Sequence, residues 1–334
     1  MDFPEEVALI EIADRYRLQE LIGAGSFGQV YRAIDTWQHV IVAVKLEPCD
    51  FRVNQLENEE EVYGTLKYAE GFPVTHGFGT MDDVNYLVMD LLGPSLEALF
   101  HFCGKRFTLG TVLRIALQAV DRLESLHARG YVHRDLKPAN FLVGVGEQTS
   151  LLYLIDLGLA VPYIDIVTRT HVQYNDEHEL IGTPLFSSIN LHHGIAHSRR
   201  DDLISLAYIL LFFVRGSLPW QGIPTSVKAK RNDQLTRAKA RAKPSQLCKG
   251  LPTPFCVFVE YVMRLEFDER PNYLYIRNLL RQCRSGVVSR AGESENAYDW
   301  EQRPEDRGAM YMTISCNVGS VSKATHEPSH PSTE

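Results

Sequence analysis

The chain has 334 residues, of which 45% are apolar and 23% charged, and a formal net charge of -8; this is ordinary for a soluble globular protein of one large or two small domains and gives no reason to expect general nucleic-acid binding. No stretch approaches eighteen uninterrupted apolar residues, and the opening MDFPEEVALIEIADRY lacks both a basic start and a long apolar run, so neither a membrane span nor secretion is expected. The six cysteines show no CxxC pairing or zinc-like spacing and read as reduced thiols in an intracellular chain, in cytoplasm or nucleus.

Residues 1–15 read as an N-terminal extension, and from residue 16 to about 90 the texture is strand-rich with one acidic helix. Within it, Leu21 to Val30 fits GxGxxGxV, with Gly23, Gly25 and Gly28 flanked by Ile22 and Val30. A GxGxxG also occurs in dinucleotide-binding folds, but there it opens a helix. Here Val30 to Ala33 and Val40 to Leu46 look like further strands, and strand-turn-strand favours a glycine-rich hairpin lying over phosphates. Val42-Ala43-Val44-Lys45 then places a lysine inside an apolar strand, where an unpaired ammonium is costly enough to require an anionic partner. The helical stretch Asn54 to Leu66 carries Glu57, Glu59, Glu60 and Glu61; a solvated face accounts for three, one inward glutamate would complete an ion pair, and spacing alone does not choose it.

Met89-Asp90-Leu91-Leu92 reads as a link between two lobes, because from Gly93 onward helical periodicity dominates, as in Val112, Ala116, Ala119, Leu123 and Leu126. The segment His133 to Gly158 sets Asp135, Asn140 and Asp156 at a spacing that suits phosphoryl transfer: one base and two hard oxygen ligands for a divalent cation. Lys137 would hold the transferring phosphate as a point charge, and the apolar run Leu151 to Ile155 would present Asp156 at a strand end. A charged surface loop is the plain alternative, and an ordered set of fixed positions argues against it. The basic run Lys228 to Lys243 reads as a solvated helix face. From about Ser285 the chain is rich in Ser, Gly, Glu and Pro, which reads as a mostly disordered tail, part of which docks on the domain before it.

The ordered motifs, HRDxKxxN followed by Asp156-Leu157-Gly158, resemble those of protein kinases. Three further segments narrow the resemblance to the casein kinase 1 family: Asp90 to Glu97 (DLLGPSLE), Ser188-Ile189-Asn190, and Ser198 to Leu203 followed by Gly216 to Gly222. The resemblance implies an α+β, bilobal protein kinase fold over residues 16–283, with an N-lobe antiparallel β-sheet plus one helix (16–90), a mainly helical C-lobe (91–283) and a tail over 284–334. It implies ATP and Mg2+ as cofactors, transfer to protein serine or threonine, and a monomer. Asp135 is then the base. Lys137, Lys45 and Thr183 assist it, and Glu59, in Gln55 to Tyr63, pairs with Lys45. The ATP site would be lined by Ile22, Gly23, Gly25, Gly28, Val30, Ala43, Lys45, Met89, Asp90, Leu92 and Asn140; Asn140 and Asp156 would bind metal, and Asp202 would anchor the catalytic loop.

The chain also departs from that family. Where the family has Gly-Thr-Ala-Arg-Tyr and recognises acidic or phosphorylated substrates, this chain reads Gly182-Thr183-Pro184-Leu185-Phe186, and Leu185 cannot bind phosphate. Asp176, Glu177 and Glu179 add carboxylates nearby, while Lys228 is retained from the family's expected anion site and Arg215 is a partial substitute, so a weakened requirement for primed substrates is expected. Leu157 replaces a phenylalanine and Ala139 an aspartate; neither removes a reacting group. A scaffold that keeps the fold without turnover is the competing reading. Ser315, Ser320, Ser322 and Thr325 are candidate autophosphorylation sites in the tail.

Overall fold

Alternating apolar positions ahead of residue 91 pair into one antiparallel sheet. The computed structural model describes residues 10–25, 28–49, 54–165, 167–223, 228–291 and 297–302. Strands β1 (Glu11–Ile12), β2 (Tyr16–Gly25), β3 (Gly28–Asp35), β4 (Val40–Pro48), β5 (Thr75–Met81) and β6 (Val84–Asp90) lie in the order β1-β2-β3-β4-β6-β5. The period of two along β4 sends Val42, Val44 and Leu46 into one apolar layer with Leu18, Tyr31 and Val88, and Ala43 into the other core with Met89. Lys45 therefore points toward the helical side of the sheet. Gly28 has φ 143°, and a Cβ there would sit 2.0 Å from the Leu46 carbonyl oxygen, so only glycine lets β3 close against β4 at this point. Ser26 and Phe27, at the tip of the β2–β3 hairpin, lie outside the described residues.

Helix α1 (Gln55–Leu66) buries Leu56, Glu59, Val62, Tyr63 and Leu66 as one stripe. The helical part follows: α2 (Leu96–Phe102), α3 (Leu109–Ala128), α4 (Ile189–His192), α5 (Arg199–Arg215), α6 (Lys228–Arg241), α7 (Pro244–Leu247), α8 (Thr253–Arg264) and α9 (Tyr273–Ala291), interrupted by short strands β7 (Tyr131–Val132), β8 (Phe141–Val143), β9 (Leu152–Leu154) and β10 (Val161–Pro162). The periodic positions of α3, Val112, Ala116, Ala119, Leu123 and Leu126, are all buried. Helix α5 is buried on every side from Leu203 to Leu211, starts in a capping box between Ser198 and Asp201, and ends at Gly216 with φ 86°. This is the two-lobed α+β architecture that the motifs imply. Among the described residues no helix is long and apolar enough to cross a membrane.

The structure corrects one reading of the basic run. Arg237 and Arg241 are exposed on α6, but Lys239 is only 2% exposed. It shares the inward face with Leu235 and Ala238, and carbonyl oxygens of Pro184 and Ser187 receive its ammonium there.

Helix α9 continues to Ala291, past residue 283, and residues 297–302 pack on the start of α3. Asp299 accepts hydrogen bonds from Thr108 N at 2.6 Å and Thr108 Oγ1 at 2.7 Å, where the positive end of α3 favours a carboxylate. Trp300 stacks on Tyr298 with ring centroids 4.5 Å apart and meets Phe107 at 5.4 Å. Residues 303–334, with the four candidate tail sites, lie outside the described residues. Because Trp300 is 4% exposed, Trp300→Ala is expected to lower the unfolding free energy by about 3–5 kcal/mol in urea denaturation; no loss would mean that the segment contributes nothing to the domain.

Candidate active site

The catalytic loop leaves β7 at Val132 and turns sharply, with Arg134 at φ 75°, a conformation that an L-residue adopts only when held. Asp202, from the first turn of α5, holds it. Its carboxylate accepts from His133 N at 2.8 Å and Arg134 N at 3.1 Å, and from the Nε2 atoms of His127 and His197, each at 2.9 Å. Burial works to raise the Asp202 pKa, but His197 and His127 outweigh it and keep the carboxyl well below its ordinary range. His133 accepts the Asp135 N–H at Nδ1 and so donates from Nε2 to Ile155 O at 3.0 Å, tying the loop to the strand that leads to Asp156.

Asp135 emerges from this loop 5% exposed. Lys137 Nζ donates to its Oδ2 at 2.6 Å and Thr183 Oγ1 to its Oδ1 at 2.7 Å. Thr183 comes close enough because Gly182, at φ 88°, packs on the loop: a Cβ there would lie 2.4 Å from Arg134 O. Facing Asp135 is a second charged group. Lys45 Nζ donates to Glu59 Oε2 at 2.6 Å and Asp156 Oδ1 at 3.0 Å. Burial opposes the ammonium, yet Glu59 and Asp156 outweigh it and hold the Lys45 pKa above its usual value. Burial would raise Asp156 as well, and Lys45 and Lys137 pull it below the ordinary carboxylate range. Of the four glutamates in α1, the buried stripe selects Glu59, at 1% exposure.

Asn140 spends its amide nitrogen on Asp135 O at 3.0 Å, which leaves the oxygen as the atom it can offer a cation. Asp156, whose Oδ2 lies 3.4 Å from that amide nitrogen, supplies the carboxylate. Among the described residues no group of three or more His, Cys, Asp or Glu forms a metal cage. Two hard oxygen donors without a cage fit a cation of the Mg2+ kind, which one or two protein oxygens bind together with substrate phosphates. Ile22 and Val30 are partly buried and pack against the same core as Ala43 and Met89. Asp90, at the end of β6, donates its N–H to Val74 O at 3.0 Å, and its carboxylate accepts from Val74 N at 2.9 Å, so it braces the linker that continues to Leu92.

Other contributors escape sequence reading. Asn58 Nδ2 lies 3.3 Å from Leu157 O, 3.0 Å from Gly158 O and 3.0 Å from Ala160 O, fastening the chain after Asp156 to α1. Leu157 is fully buried, and its N–H donates to Glu59 Oε1 at 3.2 Å. Ser188 Oγ and Asn190 Nδ2 both donate to Asp201 Oδ1, at 2.5 and 3.0 Å, which joins the Ser188-Ile189-Asn190 segment to the start of α5. The Arg215 guanidinium is engaged at the end of α7 and just beyond it, where it donates to the Leu247 and Lys249 carbonyls. The Lys228 side chain lies outside what is described.

Asp202 titrates near pH ~4 in an unfolded chain, so the stability it lends is full above that value and is lost as pH falls through its depressed folded value. Asp202→Asn is expected to cost about 3–5 kcal/mol at neutral pH, because it strands buried N–H donors. Urea denaturation across a pH series checks this; a gap from the unmodified chain that failed to narrow in acid would contradict it.

A family model described as the protein kinase domain matches residues 16–282. The match runs from β2 to about the middle of α9 and covers both lobes. By descent as well as by the arrangement of its cleft, the chain belongs to the protein kinase family, whose domain uses ATP and a divalent metal to phosphorylate proteins.

Proposed function

We propose that the protein transfers the γ-phosphoryl group of ATP, with Mg2+, to serine and threonine hydroxyls of proteins, in the manner of the casein kinase 1 family and with a weakened requirement for acidic or phosphorylated substrates. The observation that carries this reading is the pair of hydrogen bonds on Asp135, from Lys137 Nζ at 2.6 Å and Thr183 Oγ1 at 2.7 Å. They fix both carboxylate oxygens, so that Asp135 is oriented to accept the proton of an incoming hydroxyl, and the Lys137 ammonium stands beside it to meet the phosphate charge. Lys45 is the group for the ATP phosphates, braced by Glu59. Asn140 and Asp156 are the oxygen ligands for the cation, which neutralises phosphate charge when bound. The hairpin with Gly23, Gly25 and Gly28 covers the phosphates, while Met89, Asp90 and Leu92 line the adenine end.

The substrate side supports the weakened priming. Pro184, Leu185 and Phe186 bring no cation to the turn beside Thr183, and the Lys239 ammonium beneath it is occupied by carbonyl oxygens. Arg215 is similarly engaged elsewhere. Asp176, Glu177 and Glu179 are exposed on the same segment and repel an anionic substrate. The intact set of reacting groups speaks against a scaffold without turnover.

Incubation with radiolabelled ATP and a protein substrate should put label on serine or threonine, and Asp135→Asn should reduce it by about 10²-fold or more. Equal labelling by the two would refute catalysis by this site. With matched peptides, turnover with and without an upstream phosphoserine should agree within about threefold, a spread of less than ~1 kcal/mol. A preference of many fold for the primed peptide would refute the weakened requirement and leave the phosphotransfer reading intact.

A further inference from the structure

Helix α1 begins on a residue that does not cap it. Asn54 stands at the N-cap, but its side chain accepts no hydrogen bond from the first turn; its Nδ2 donates instead to Glu57 Oε2 at 3.0 Å. The acceptor that a first-turn N–H requires comes from the sheet: Glu47 Oε2, near the end of β4, receives Leu56 N at 3.0 Å. Glu47 is 7% exposed, and burial raises its pKa while the Leu56 N–H and Lys45 pull the other way. An apolar residue of similar length would fill the same space without the cost of burying a carboxylate, but would leave the Leu56 N–H unmatched. The positive end of α1 favours the negative charge.

Glu47 and Lys45 lie two residues apart on β4 and so share the face that carries Ala43. Leu56 and Glu59 lie three apart on α1 and share its buried side. The strand therefore grips the helix at two points, Glu47 at the Leu56 N–H and Lys45 at the Glu59 carboxylate. A single contact would leave rotation about it to apolar packing, which is not directional; two contacts fix both the rotation of the helix and its slide along β4. The far end of α1 is held separately, where Arg129 Nε donates to Thr65 O at 3.1 Å. The first turn also abuts the chain after Asp156: a Cβ on Gly158 would lie 3.3 Å from Gln55 O. We infer that Glu47 is a positioning residue for the ATP site: by holding the first turn of α1 it sets Glu59 against Lys45 and keeps the Lys45 ammonium in place for the nucleotide phosphates. This rests on the phosphotransfer reading, in which Lys45 serves those phosphates. The bonds described on Asp135 come from His133, Lys137 and Thr183, none of them on β4 or α1, so the effect falls on ATP and not on the peptide.

The test is steady-state kinetics on the full chain, with ATP and peptide varied separately, for Glu47→Met, which removes the acceptor, and Glu47→Gln, which keeps an oxygen there. Glu47→Met should raise the KM for ATP about tenfold with the peptide KM within about twofold, and Glu47→Gln should stay within about threefold of the unmodified chain for both. An unchanged ATP KM in Glu47→Met, or equal losses for peptide and ATP, would overturn the inference. So would a loss of about tenfold in Glu47→Gln, which keeps the test open should Glu47→Met not fold. A double-mutant cycle separates positioning from plain stability. Because Glu47 acts through Glu59, adding Glu47→Met to Glu59→Ala should change the ATP KM by less than about twofold, and a further change of about tenfold in that background would refute the role. Calorimetric titration with ATP and Mg2+ makes the same comparison without turnover. If the unmodified chain shows no turnover above Asp135→Asn, the phosphotransfer reading fails; if it turns over normally while Glu47→Met binds ATP as tightly as the unmodified chain, only the role of Glu47 fails.

Discussion

The active cleft depends on one buried carboxylate. Asp202 sits on α5, the most completely enclosed helix, and gathers four N–H donors, two from the backbone of His133 and Arg134 and two from imidazole rings. The positive φ of Arg134 is unfavourable for a residue with a side chain, and it is the bend that turns Asp135 toward the cleft. A fully solvated loop would relax that bend. Charge-assisted hydrogen bonds inside an apolar interior hold it, because each donor left unmatched there would cost more than the strain. His133 carries the constraint onward to Ile155, and so to Asp156.

A second frame crosses from the sheet to the helical lobe. One ammonium, Lys45 on β4, is shared by Glu59 on α1 and Asp156 after β9. β4 and α1 follow one another in the chain, whereas Asp156 lies about a hundred residues further on, and the shared charge ties it to both. Asn58 adds a neutral tie, one amide spread over three carbonyl oxygens of the chain after Asp156. Leu157 fills the space beneath and lends its N–H to Glu59, so the exchange of an aromatic for an aliphatic residue keeps the packing and the hydrogen bond.

A second set of hydrogen bonds starts from the same turn of α5. Asp201, next to Asp202, binds Ser188 and Asn190, and thereby stations the segment that follows the Thr183–Ser187 turn. Lys239 and Trp220 close the turn from below. Adjacent acids on α5 therefore divide the work, Asp202 bonding the His133–Arg134 loop and Asp201 bonding Ser188 and Asn190. Lys239 and Arg215 are turned inward to carbonyl oxygens, while Asp176, Glu177 and Glu179 are exposed.

Much of this was legible in the chain itself. Asp135, Lys137, Asn140 and Asp156 stand at spacings that a short loop and a tight hairpin impose, and Lys45 declares itself as a charge inside an apolar strand, because such signals are local. Periodicity likewise marked the inner faces of α3 and β4. Where several residues were locally equivalent, sequence could not choose. Spacing left four glutamates open in α1, and only the packed stripe singles out Glu59. The basic run around α6 looked uniformly solvated, yet the carbonyls that bury Lys239 come from a turn about fifty residues earlier. Asn58 and the docking of residues 297–302 on α3 have the same character. By itself the sequence determined which chemical groups the protein has and the local geometry of their motifs. Tertiary structure alone decided which charges are paired and which cation is buried, since burial and partnership depend on segments that meet only when the chain has folded.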